Sequence, residues 1–188
     1  STLEHEDIVG VNPEVAHEVM AGLSMMHNVA QAMEQDKLFH IDLNGQKIGR
    51  YDQDLRFGSE DVKGAFLLVR LLEGTCGGPR YEGPLHFDAH AYRTEDVDGV
   101  WDFARGCMRT YKILAERAAA FDADLDVKAL LARQEDAEYE ALLAKPYDKE
   151  TAAAIRSADI DAKEIALGGL GYERLDQIMI EYILGVRG

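Results

Sequence analysis

The spacing of hydrophobic positions changes along the chain, and each change marks a strand or a helix. Ile8-Val9-Gly10-Val11 is a short apolar run rich in β-branched residues, the pattern of a buried strand. Asn12-Pro13 closes it, because asparagine can cap a helix and proline suits the first helical position, where no N–H is needed. Val15, Val19, Leu23, Val29, Ala30 and Met33 then recur at near-helical spacing and predict a helix to about Glu34. Leu38-Phe39-His40-Ile41-Asp42-Leu43 predicts the second strand. From Asn44 to Gly58 the chain is polar, with three glycines and no apolar period. That segment predicts a long ordered loop, and loops of this length inside a domain usually carry function.

Ser59-Glu60-Asp61 starts the next helix, with Val62, Ala65, Phe66, Val69 and Leu72 as its apolar stripe. The glycine-rich stretch from Gly74 to Gly83 breaks the chain before a third strand, Leu85-His86-Phe87-Asp88. A longer helix follows from Asp98 to about Phe121, where Trp101, Phe103, Met108 and Tyr111 read as core. Asp122 to Gly188 reads as helices without strands, broken at Pro146 and at Gly168-Gly169. The alternation implies an α/β fold of about three parallel strands joined by right-handed crossovers. A closed (β/α) barrel needs eight strands and about 250 residues. This chain is therefore either a small open α/β layer with a helical appendage or the later part of something larger.

Composition limits the partners. Twenty Lys and Arg against thirty-five Asp and Glu give a formal charge of -15. Such a surface repels phosphate backbones and anionic lipid, so neither nucleic acid nor a membrane is expected as a partner. It suits a protein that gathers cations. No apolar run approaches the ~18 residues of a membrane span, and the first six residues are too polar for a signal peptide. Two cysteines, Cys76 and Cys107, form no framework and no CxxC motif, which favours a reducing cytoplasm.

The acids fall where the strands end. Glu14 lies three residues past Val11, Asp42 lies within the second strand and Asp88 closes the third. In a parallel α/β sheet those ends share one rim, the rim where ligands bind. An acid at one strand end is ordinarily the cap of the next helix. Three in succession, with no Lys or Arg beside them, repel one another unless a cation sits between them. Glu14-Val15-Ala16-His17 adds an imidazole on the same side of a first helical turn, and Tyr51-Asp52-Gln53-Asp54 adds two acids from the loop. Glu14, His17, Asp42, Asp52, Asp54 and Asp88 are too many ligands for one Mg²⁺ or Mn²⁺ but suit two sharing a carboxylate. His40 and His86 precede strand acids by two residues and share a face with them, either near the site or packed in the strand. His5 and His27 read as surface residues.

Several of these segments are familiar. Val11-Asn12-Pro13-Glu14-Val15-Ala16-His17-Glu18, Leu38 to Asn44, Tyr51 to Gly58 and His86-Phe87-Asp88 resemble xylose isomerase of the actinobacterial type, its carboxyl-terminal half. Arg93-Thr94-Glu95-Asp96, Gly99-Val100-Trp101 and Glu173-Arg174-Leu175-Asp176-Gln177 continue the likeness, which is loose between Asp122 and Gly171. The resemblance implies a partial (β/α) barrel with a metal-binding rim over residues 1–121 and a helical arm for subunit association over 122–188. It implies two divalent cations, Mg²⁺ or Mn²⁺ with Co²⁺ as an alternative. Glu14 would bridge them, Asp42 and Asp88 would join it at the structural metal, and His17, Asp52 and Asp54 at the catalytic metal. The implied chemistry is aldose–ketose interconversion by ring opening and a hydride shift between C2 and C1, with Asp54 orienting the water that handles the hydroxyl proton.

The same resemblance places Ile8–Val11 at the sixth barrel strand. Half of the family pattern then has no counterpart here, including a fourth structural-metal ligand, a carbonyl-polarising lysine and the histidine–aspartate pair of ring opening. A lysine expected two residues after Asp88 is His90. Two readings follow: an isomerase completed by a complementary amino-terminal half, or a catalytically incompetent chain that binds metal and self-associates as a homo-oligomer. A third, a metal-dependent repair endonuclease of the same barrel superfamily, is disfavoured by the acidic charge.

Overall fold

Apolar stripes on several helices meet in one core beside a very small parallel sheet. The structure, a computed structural model, describes residues 5–75, 77–132, 141, 144–158 and 161–187. Its elements are α1 (Val15–Met20), α2 (Met25–Glu34), β1 (Ile41–Asp42), α3 (Val62–Leu72), β2 (Leu85–His86), α4 (Val97–Ala123), α5 (Leu125–Ala132), α6 (Lys149–Ser157), α7 (Ala162–Gly168) and α8 (Tyr172–Leu184). β1 and β2 pair in parallel, Ile41 opposite Leu85 and Asp42 opposite His86. Isolated parallel bridges, Val11 to Leu38 and Glu14 to Asp42, lay a further extended segment along β1. Among the described residues the sheet is two-stranded and no barrel is seen.

Four local expectations are corrected. The strand expected at Ile8–Val11 does not form: Glu6–Ile8 is a 3-10 turn, and only Val11 reaches the ladder, donating to the Lys37 carbonyl at 2.8 Å. Among the described residues no layer covers the run as a buried strand requires, and Ile8 is 72% exposed. Asn12 does not cap α1, whose N-cap is Glu14. The single helix expected from Val15 to Glu34 is two, interrupted where Gly22 adopts φ +71°; Ser24 then caps α2 by accepting from the His27 N–H. Trp101 and Met108, expected in the core, are exposed. α4 buries Cys107, Leu114, Ala118 and Phe121, and both residues lie about 100–120° round the helix from that stripe. Phe103 and Tyr111 are half-buried against the core.

The other helices follow their sequence signals. Asp61 caps α3 by accepting from the Gly64 N–H at 2.8 Å, and Ala65, Phe66, Leu68, Val69 and Leu72 are buried. Phe66 meets Phe121 edge-on, and Phe121 meets Tyr182 edge-on, each pair with centroids 5.8 Å apart. Phe121 therefore joins α3, α4 and α8, and Phe121→Ala is expected to destabilise the chain by about 3–5 kcal/mol, measured by urea unfolding. Val127 and Leu130 of α5 and Ile178, Met179 and Tyr182 of α8 belong to the same core as Phe57 and Phe66. Cys107 is buried and free, and burial pushes its thiol up. Cys76 lies outside the described residues, as do residues 133–140, 142–143, 159–160 and 188 of the helical segment. Among the described residues no helix is long and apolar enough to cross a membrane.

An ionic clasp fastens the end of α8 to the α4–α5 junction. Arg187 donates from Nε to Asp124 Oδ2 and from Nη2 to Asp126 Oδ2, both at 2.7 Å, and the Tyr182 hydroxyl donates to Asp124 at 2.9 Å. Chiefly through the Arg187 hydrogen bond, the Asp124 carboxyl is held down at about 2. A carboxyl depressed in the folded state stabilises fully above its ordinary value of 3.8, and that contribution is lost as pH falls through about 2. Thermal melts should show the gap between the native chain and Arg187→Ala closing over that interval.

Candidate metal centre

Asn44 is the residue around which the rim is assembled. Its side chain is buried, 1% exposed, and every polar atom on it is used. Oδ1 accepts the Ala16 N–H at 2.8 Å. Nδ2 faces three acceptors: Glu14 Oε1 at 2.7 Å, the Asp88 carbonyl at 3.0 Å and Asp54 Oδ1 at 3.2 Å. An amide has two hydrogens, so these three acceptors share them. One side chain thus ties the residue before α1, the loop after β1 and the segment after β2.

The predicted long loop is ordered because it folds back on itself. Gly45 and Leu55 exchange backbone hydrogen bonds at 2.7 and 2.9 Å. Buried Gln46 fills the turn, donating to the Arg50 carbonyl at 2.7 Å and accepting the Gln53 N–H at 2.8 Å. Asp52 and Asp54 leave this loop with φ of +36° and +45°. Left-handed backbone at residues other than glycine costs on the order of 1–3 kcal/mol and gathers at functional sites.

Two donor groups result, and they overlap. Ligand atoms of Glu14, His17 and Asp52 all lie within 4.8 Å of one another, and so do those of Glu14, Asp42 and Asp88. His17 Nε2 is 3.3 Å from both Glu14 Oε2 and Asp52 Oδ1. Glu14 belongs to both groups. Asp54 lies in neither close group but is drawn beside Glu14 through Asn44. The Glu14 carboxyl is raised above its ordinary value, first by burial; Asn44 and His17 oppose this, while Asp54 and Asp88 push it further up. Among the described residues no lysine or arginine forms an ion pair with any of these five carboxylates. Converging acids without a counter-charge, hard oxygen donors and one imidazole fit divalent cations of the Mg²⁺, Mn²⁺ and Co²⁺ kind.

The remaining histidines divide. His40 and His86 both face Asp42, with Nδ1 atoms 3.7 and 2.9 Å from its Oδ1. His90 donates its backbone N–H to the Asp54 carbonyl at 3.0 Å and turns its ring to the Ala91 carbonyl. His5 and His27 are exposed, as their sequence context predicts.

No protein-family model matches the chain. Over 188 residues it is 57% identical to the xylose isomerases of Thermus caldophilus and Thermus thermophilus, covering 100% of this chain and 48% of each relative. It is 50% identical to the xylose isomerase of Streptomyces lividans over 192 residues, covering 98% of this chain and 46% of that relative. The chain spans about half the length of the curated relatives it matches.

Proposed function

Because the chain is homologous to xylose isomerases along its whole length, we propose that it supplies the two-cation rim of a metal-dependent aldose–ketose isomerase acting on xylose and xylulose. The observation that carries this reading is the sharing of Glu14 between two donor groups. In it Glu14 would serve both cations, Asp42 and Asp88 would help hold one, and His17, Asp52 and Asp54 would help hold the other. A Mg²⁺, Mn²⁺ or Co²⁺ ion held by these residues would supply Lewis acidity towards the sugar oxygens at C1 and C2, the carbons between which hydride is exchanged. Asn44 fixes the carboxylates of Glu14 and Asp54 in place. The Asp54 carboxylate orients the water that carries the hydroxyl proton. The Asp52 and Asp54 backbone, strained but closed by the Gly45–Leu55 bonds, keeps both acids preorganised. The segment 1–121 then corresponds to the later part of a (β/α) barrel and 122–188 to an arm that associates subunits, with a complementary amino-terminal half completing the sugar site.

A chimera tests this reading: the chain joined to the amino-terminal half of the Thermus thermophilus xylose isomerase. Xylulose formation is expected, abolished by EDTA, restored by Mn²⁺ and lost again in Glu14→Gln. A folded chimera that binds Mn²⁺ yet gives no xylulose contradicts it.

A further inference from the structure

A third set of donors converges on Asp42, a residue it shares with the Glu14, Asp42 and Asp88 group but without Glu14. Nitrogens of His40 and His86 and an oxygen of Asp42 all lie within 4.8 Å of one another. The separations are 2.9 Å from His86 Nδ1 to Asp42 Oδ1 and 3.7 Å from His40 Nδ1 to the same oxygen. Asn12 joins them: its Oδ1 is 2.9 Å from His40 Nδ1, while its Nδ2 donates to Asp42 Oδ2 at 2.8 Å. The Asn12 amide therefore holds Asp42 with Oδ1 towards the histidines. The two rings are tilted by 34° with centroids 5.7 Å apart, so they do not stack face to face.

We infer that His40, His86 and Asp42, with Asn12 as an oxygen donor, form a third cation site that takes a borderline transition metal such as Zn²⁺. Two imidazoles and one carboxylate select such ions over Mg²⁺, which prefers an all-oxygen shell. Zn–N of about 2.0–2.1 Å and Zn–O of about 2.0–2.2 Å in a tetrahedron put neighbouring donors about 3.3 Å apart. The observed 2.9 and 3.7 Å bracket that spacing, so small side-chain rotations close the site. The His86 side chain is 62% exposed, which gives an ion a path from water.

The test uses the full chain in a Glu14→Gln background, where the shared ligand of the other two groups is gone. Calorimetry with ZnCl₂ is expected to show one saturable site. Adding His40→Asn and His86→Asn should weaken it by roughly 100-fold or more, at least the ~10–100-fold cost of losing an outer-shell partner. Absence of a saturable Zn²⁺ site, or unchanged affinity after both histidine substitutions, overturns the proposal. If the triple variant fails to fold by circular dichroism, Cu²⁺ in the Glu14→Gln chain decides. An electron paramagnetic resonance spectrum with two equivalent nitrogen couplings supports the site, and one nitrogen or none overturns it. Mn²⁺ binding that persists in Glu14→Gln would count against the two-cation rim alone, so the two readings fail separately.

Discussion

Glu14→Gln is expected to weaken Mn²⁺ binding by roughly 100-fold or more, beyond the ~10–100-fold range of an outer-shell loss. Asp88→Asn should cost less. Glu14 faces both donor groups, so losing its charge leaves two cations less neutralised, whereas Asp88 faces one. Glutamine keeps the size of the side chain and an oxygen for the Asn44 amide, so the rim should remain assembled. The metal-free variant should melt no lower than the native chain, because Glu14 is raised by burial and a neutral side chain removes that penalty. Titration calorimetry measures the affinities, and circular dichroism checks the folds. If Asp88→Asn abolishes binding while Glu14→Gln leaves it intact, Glu14 is not the bridge.

Asn44→Ala is expected to damage both fold and site. It leaves the buried Ala16 N–H without its 2.8 Å acceptor and removes the donor that holds Glu14 and Asp54. A buried polar group left unpaired costs about 1–3 kcal/mol, and a lost outer-shell partner costs about 10–100-fold in metal affinity. Asn44→Asp separates the two effects. It keeps Oδ1 for Ala16 but sets a third negative charge beside Glu14 and Asp54 and against the Asp88 carbonyl. Its melting temperature without metal should fall well below that of the native chain, and added Mn²⁺ should recover a larger share of the loss than in Asn44→Ala. Equal recovery in both variants would show that Asn44 acts through packing alone.

The helices were the most legible part of the chain, because their signals are local. The helix start at Ser59-Glu60-Asp61 and the stripe through Ala65, Phe66, Val69 and Leu72 are fixed within a few residues of sequence, and both appear in the structure, with Asp61 as the cap and Val62, expected in the stripe, exposed. Strands depend on neighbours that the sequence does not name. Ile8–Val11 has the composition of a buried strand, but among the described residues nothing covers it and Ile8, Val9 and Val11 are exposed. Three of the six candidate residues, Glu14, Asp42 and Asp88, stand out in the sequence because acids recur in order near the predicted strand ends, and His17, Asp52 and Asp54 because they lie in short acid-rich motifs. The structure draws Glu14, His17 and Asp52 together, and likewise Glu14, Asp42 and Asp88, while Asp54 is held through Asn44. Asn44 itself was not legible as a site residue. Its importance comes from contacts with residues 10, 28, 30 and 44 positions away, which no local pattern reveals. Asn12 was misread for the same reason: a capping residue and a partner of Asp42 look identical in sequence.

Calorimetric titration of the 188-residue chain with Mn²⁺ near neutral pH, alongside Glu14→Gln, bears on the central claim most directly. The account predicts a saturable site in the native chain, a rise in melting temperature on saturation, and loss of both in Glu14→Gln. A native chain that shows no saturable Mn²⁺ binding, or a Glu14→Gln chain that binds Mn²⁺ as the native chain does, contradicts it.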